Sequence, residues 1–356
     1  MTSNIEEGPI HICSRCNTQF SSRNKLFRHL KIAKCQSDNL LDDTSGLRLY
    51  VIGGRHRNKT LASCEYYSFA EGCWKIGPEL QEHRGSHGAT TVQGTSTIYT
   101  LSGGGMHGNL LSCERLHLNK SSDADCSWSF AAPMAASMPK HALAVCSFEG
   151  DESSWIYAIG GWANGKWCSS DFEVYDVGSD VWGVLPSFTI PRRLLGAVAT
   201  KEHVYIFGGC IDNSNHLGFN EKEALSRDGW VTGAVERYDV EKRVWQRLRD
   251  LPLAGPASAV RVGEEIFVVI HGRSLLQYDP LDDKYTRVAS LPLPQWYCFD
   301  CCSHGSRIYL TGGSVSGRWS TAFFAFDRNT LQWTQLPDMR RERRRAACAI
   351  IKSNKT

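Results

Sequence analysis

A pair of aromatic landmarks returns along this chain at a fixed step, and that recurrence restricts the fold more than any other feature. Tyr67 precedes Trp74 by seven residues, Tyr175 precedes Trp182 by seven and Tyr238 precedes Trp245 by seven; Tyr278 to Tyr285 and Phe326 to Trp333 keep the same step. Only Leu116 and Trp128 depart from it, separated by the extra stretch SSDADCS. Upstream of each landmark lies a short apolar run that ends in glycines: Gly53-Gly54, Gly103-Gly104, Gly160-Gly161, Gly208-Gly209 and Gly312-Gly313, with His271-Gly272 as the degenerate fifth copy. A glutamate stands two residues before the landmark in four units, at Glu65, Glu114, Glu173 and Glu236.

Apolar runs of strand length cut by Gly, Asp and Pro read as antiparallel strands. A single unit cannot bury its own faces, so the units must stack on one another. The pattern resembles the kelch repeat, a four-stranded blade of a β-propeller, over about residues 46–351. The expected fold is therefore all-β, a six-bladed kelch-type propeller. The first unit lacks a convincing opening strand, whereas the end of the chain carries a spare apolar run, Ala346–Ile351. That segment is expected to complete the first blade and close the ring, hiding edges that an open sheet would expose.

The N-terminal region is a different object. Cys13 and Cys16 are followed in register by Phe20, Leu26, His29 and Cys35. This resembles a small ββα zinc finger of the Cys2His2 type, with cysteine in the last ligand position. The resemblance implies a tetrahedral structural zinc held by Cys13, Cys16, His29 and Cys35, with Phe20 and Leu26 as its core. A redox Cys-x-x-Cys is the rival reading, and no βαβ pattern surrounds it. The domain layout that follows is residues 1–10 as an N-terminal tail, 11–35 as the finger, 36–45 as a polar linker, 46–351 as the propeller and 352–356 as a tail.

Between His11 and Cys35 there are six Lys or Arg and no acidic residue. Asn24, Lys25 and Arg28 lie at or near the positions through which such fingers read bases. One finger covers only about three base pairs, so a protein or RNA partner is as good a reading as DNA.

Composition excludes little but helps. Net charge is +3, which gives no whole-molecule argument for nucleic acid. No run approaches a membrane span, and the first residues lack a secretion-signal layout. Fourteen cysteines without such a signal point to a reducing compartment, cytoplasmic or nuclear.

In a four-stranded blade, the loops joining strands two and three share a face with the loops between blades. On that face the expected partner-binding residues are Arg57, Arg84, Trp167, Arg193, Trp296, Arg318, Trp319 and Arg344. Exposed aromatics among arginines compose a recognition surface for an acidic protein partner. The opposite face looks more acidic, with Glu149, Asp151, Glu152, Asp282 and Asp283. The run Arg340–Arg345 also resembles a nuclear-import signal, although its place in a blade turn suits a structural role. One long insertion, Cys210–Thr232, interrupts the fourth unit.

These features imply a non-catalytic interaction or adaptor protein: the propeller captures a protein partner and the finger contacts a second partner, protein or nucleic acid. The alternatives are a nucleic-acid-associated regulator acting through the finger, and a propeller enzyme with a site in its central channel. No catalytic constellation or cofactor fingerprint apart from the zinc ligands appears in the sequence.

Overall fold

The computed structural model describes residues 11–12, 19–20 and 46–352, apart from 58, 93–94, 119–125, 136–137, 150–153, 164–166 and 212–229. The chain divides into two compact units, Met1–Thr44 and Ser45–Thr356. In the first, His11–Ile12 pairs antiparallel with Gln19–Phe20, His11 in register with Phe20. Cys13, Cys16, Asn24, Lys25, Arg28, His29 and Cys35 lie outside the described residues, as does the expected finger helix.

The described part of the second unit is all antiparallel sheet. It contains six four-stranded sheets. From the innermost strand outward, the first consists of Ala347–Lys352, Leu47–Ile52, Cys64–Ser68 and Cys73–Gly77. The others begin at Gly88–Val92, Ala144–Glu149, Gly196–Ala199, Ala257–Val262 and Asp300–His304. Each runs through its four strands in sequence order. Every innermost strand packs against those of the two neighbouring sheets, and the strand starting at Asp300 meets the one starting at Ala347, so the series returns to its beginning.

The inner strands of the first sheet are buried on both sides because each side faces a different seam. Leu49 and Val51 enter the cluster shared with the sixth sheet, while Tyr50 and Ile52 enter the cluster shared with the second. The final strand divides in the same way: Cys348 and Ile350 go to one seam, Ala349 and Ile351 to the other. Period-two alternation with both faces buried explains why these strands read as nearly continuous apolar runs. Among the described residues there are six such clusters, one for each seam.

The step of seven also has a local cause. Tyr67 and Trp74 are direct cross-strand partners, as are Tyr175 and Trp182, Tyr238 and Trp245, Tyr278 and Tyr285, and Phe326 and Trp333. Their rings lie 4.9–5.5 Å apart. Two residues before the second ring, the turn takes a left-handed residue: Gly72, Asp180, Arg243, Asp283 or Leu331, with φ of 48–66°. One turn geometry repeated five times fixes one spacing. In the second sheet Leu116 still faces Trp128, so the insertion lengthens the turn without shifting the register.

The C-terminal strand pairs along its whole length with Leu47–Ile52, from Leu47 opposite Lys352 to Ile52 opposite Ala347. The sheet nearest the N-terminus of this unit is thus completed by the end of the chain.

Candidate functional site

The loops between sheets are held down by buried cations. Four residues before the innermost strand stand Arg84, Lys140, Arg192 and Arg343 in four of the six sheets. Each reaches the glutamate two before the aromatic landmark of the sheet it introduces. Arg84 meets Glu114 at 2.8 Å, Lys140 meets Glu173 at 3.2 Å, Arg192 meets Glu236 at 2.8 Å and Arg343 meets Glu65 at 2.9 Å. No partner is more than 4% exposed. In the sixth sheet Trp296 takes the cation's place and Phe324 the glutamate's, with rings 5.7 Å apart. Charge on both sides or on neither avoids an unpaired buried ion, which would cost several kcal/mol.

Beyond these anchors the chain turns sharply into the channel wall. The residue two before the innermost strand has positive φ in five sheets: Ser86, Ala142, Leu194, Cys298 and Arg345, at 53–57°. Three arginines from separate loops lie near enough to His141 for their fields to reach its ring. They are Arg55 from between strands two and three of the first sheet, Arg193 before the fourth and Arg345 before the first. The His141 ring is held well below its ordinary range, at about 4, by burial and then by the fields of Arg345, Arg193 and Arg55. It therefore stays neutral at neutral pH.

Stacking holds the cluster rigid. The Arg193 guanidinium lies 4.0 Å above the Trp162 ring, and Trp162 packs against His141 at 5.5 Å. Asn109 Oδ1 is 2.9 Å from His141 Nδ1. On the other side Arg344 covers Trp319 at 4.4 Å, and its backbone exchanges two hydrogen bonds with Arg55. A cation over an aromatic face loses little rotamer freedom when it engages an anion. Such a mouth favours carboxylate or phosphate.

The expected face needs three corrections. Arg84 is fully buried and spends its guanidinium on Glu114 and the carbonyls of Ser102 and Ser112. Trp296 is also fully buried; its Nε1 donates to the Gly312 carbonyl at 2.7 Å. Neither can anchor a partner, because each is an interior peg for its loop. Arg193 is 2% exposed and contributes its field from beneath Trp162 rather than an exposed fork. Arg57, Trp167 and Arg318 are exposed, and Trp319 and Arg344 half-buried.

The structure adds Arg55, His141, Trp162 and Arg345 to the mouth. Arg55 and Arg345 sit in basic runs whose members cannot be separated by type. The signal that separates them is distance from the innermost strand: the fourth residue before it is the buried peg, and the second makes the left-handed turn. The acidic reading of the opposite face is weakened at Asp283, whose carboxylate caps the Arg249 amide and accepts from the Tyr278 hydroxyl. Asp151 and Glu152, and most of the Cys210–Thr232 insertion, lie outside the described residues. Among the described residues no helix is long and apolar enough to cross a membrane.

Comparison with known proteins agrees with the repeat. The kelch motif model matches residues 44–81 and 295–340, the two ends that meet in the first and last sheets. Kelch-like protein 38 of Rattus norvegicus is 27% identical over 307 residues, covering 81% of this chain and 47% of the relative. Kelch repeat and BTB domain-containing protein 8 of Danio rerio is 28% identical over 188 residues, 48% of this chain and 26% of the relative. Kelch repeat and BTB domain-containing protein 2 of Horsepox virus is 30% identical over 95 residues, 26% of this chain and 17% of the relative. The chain spans about half the length of the Kelch-like protein 38 it matches. With its sheets in register and these matches at both ends, the chain carries kelch motifs and is similar to Kelch-like protein 38 over 81% of its length.

Proposed function

We propose that this chain is a non-catalytic interaction protein, built as a six-bladed kelch propeller whose basic mouth captures an acidic segment of a protein partner. The observation that carries the reading is a stacked mouth: Arg193 lies 4.0 Å over Trp162, Trp162 packs on His141 at 5.5 Å, and the fields of Arg345, Arg193 and Arg55 all reach that ring. Rigid donors that need no ordering on binding favour a carboxylate-bearing peptide over a loosely held ion. Arg57, Trp167, Arg318, Trp319 and Arg344 form the exposed rim around this centre, where aromatic anchors contribute most to affinity. The similarity to Kelch-like proteins supports a protein partner. Under the same reading the N-terminal unit holds one structural zinc through Cys13, Cys16, His29 and Cys35 and presents Asn24, Lys25 and Arg28 to a second partner, protein or nucleic acid.

The test pairs Arg55→Glu with Arg345→Glu in the full chain, and uses Arg307→Glu, on an exposed strand start of the sixth sheet, as control. The probe is a fluorescent glutamate-rich peptide, followed by anisotropy at increasing salt. Binding should weaken with salt in the parent, since rim charges are screened within about 10 Å. It should be lost in the double variant and kept in the control. Equal binding by the double variant and the parent would overturn the basic-mouth reading.

A further inference from the structure

The seam at which the ring closes carries a feature that partner capture does not use. Cys302, on the innermost strand of the sixth sheet, and Cys348, on the closing strand of the first, belong to the same apolar cluster. The strands that carry them pack against each other across the seam. Both residues also line the central channel, Cys302 half-buried and Cys348 buried. A small oxidant entering the channel thus meets one partly open thiol with a second cysteine in the same seam. Of the other described cysteines, Cys64, Cys113 and Cys126 are buried and Cys73 is exposed, all away from this channel, whereas Cys146 and Cys301 also line it.

We propose that Cys302 and Cys348 are a site of reversible disulfide formation, which fastens the closing strand of the first sheet to the sixth. The strands they occupy pack side by side, so a bridge demands no change of register. With hydrogen peroxide as oxidant the chemistry balances in two steps. The Cys302 thiolate attacks one peroxide oxygen, breaking the O–O bond; sulfenic acid forms and the other oxygen leaves as water after taking a proton. The Cys348 sulfur then attacks the Cys302 sulfur, forming S–S and breaking S–O, and the second oxygen leaves as water with the proton from Cys348. Two thiols are oxidised and one peroxide is reduced to two waters. Burial raises the Cys348 thiol well above its ordinary range, so the second step is the slow one and accelerates with rising pH. A dithiol reverses the bridge by exchange.

The consequence lies in ring closure. Ala347–Lys352 is held to the first sheet by backbone hydrogen bonds to Leu47–Ile52 and by side-chain packing. A bridge to Cys302 would tie that strand covalently to the opposite side of the seam and remove the freedom of the unzipped end.

Peptide mapping of the full chain after mild hydrogen peroxide treatment tests this without any substitution. The expected product is one intrachain cross-link joining the Cys302 and Cys348 peptides, lost on addition of a dithiol. The melting temperature should rise by roughly 5 °C on oxidation and return on reduction. Cys302→Ala should abolish both changes, whereas Cys301→Ala, which alters the adjacent residue, should keep them. Sulfinic acid on Cys302 without a cross-link, a bridge between Cys301 and Cys302, or an unchanged melting temperature with the Cys302–Cys348 bridge present would each overturn the proposal.

Discussion

The indole Nε1 of Trp74 donates a hydrogen bond of 2.6 Å to the carbonyl of Pro337, 263 residues further along the chain. Trp74 stands on the outermost strand of the first sheet, and Pro337 follows the outermost strand of the sixth. The same bond recurs around the ring. Trp128 reaches Pro78, Trp182 reaches Ala132, Trp245 reaches Pro186 and Trp333 reaches Ser290, at 2.7–3.1 Å. In the fifth sheet the Tyr285 hydroxyl takes the role and reaches the Arg249 carbonyl at 2.9 Å. Each sheet is stitched to the one before it, and Trp74 makes the stitch that joins the first to the last.

Replacing Trp74 with phenylalanine keeps most of the ring packing on Tyr67 and Phe323 but removes the donor. The Pro337 carbonyl then loses its partner, at a cost of about 1–2 kcal/mol. Urea unfolding should show the midpoint falling with an unchanged slope. Trp333→Phe at the seam between the fifth and sixth sheets should cost about as much. A loss confined to Trp74 would show that closure carries more strain than the other seams.

The paired pegs lead to a sharper prediction. Arg84→Met leaves Glu114 buried and unpaired and should destabilise by about 3–5 kcal/mol. Adding Glu114→Leu removes the orphaned charge and should recover most of that loss, because the sixth sheet already uses an apolar pair, Trp296 and Phe324, at these two positions. A double-mutant cycle by chemical denaturation measures the coupling. Strict additivity of the two single losses would show that the pair is not a unit.

Much of this fold was legible because each repeated signal has a local cause. The seven-residue step is a four-residue turn with one left-handed position, and the spare apolar run at the end is a strand whose two faces fill two seams. The mouth was less legible. Arg84 and Arg55 are the same residue type in loops of the same face, yet one is an interior peg and the other is half-buried with its field on His141. Trp296 looks like an exposed anchor in sequence because its peg position shows only when the sheets are aligned on their innermost strands. The glutamates were visible as a register, but their cations lie 30 to 278 residues away in the chain and no local pattern points to them.

The zinc assignment in the proposal predicts one zinc per chain by elemental analysis. Structural zinc supplies the folding free energy of so small a unit, so Cys16→Ala should bring the zinc content close to zero. The melting transition of the sheet unit should stay where it is, because Met1–Thr44 is a separate compact unit. Zinc remaining stoichiometric in Cys16→Ala would overturn the ligand set.

The last prediction concerns Asp300, on the innermost strand beside the closing seam. Its carboxylate accepts the backbone N–H of Cys348 at 2.7 Å, and burial raises its pKa from the ordinary 3.8 to about 6, against the lowering effect of the Cys348 and Cys301 amides. The sign follows from proton binding. Between these two values the folded chain keeps a proton that the unfolded chain has released, so stability from this group falls as pH rises through that window and is level above it. The full shift corresponds to about 3 kcal/mol, but the residue is partly open to the channel, and solvent reduces the effect to about 1–2 kcal/mol. Asp300→Asn keeps an acceptor for Cys348 and has no charge to desolvate. Relative to the parent it should therefore gain stability as pH rises from about 4 to 6 and hold that gain at neutral pH. Urea melts of both chains across this range measure the difference directly. A difference that does not change with pH would place the Asp300 carboxylate in water rather than under the seam.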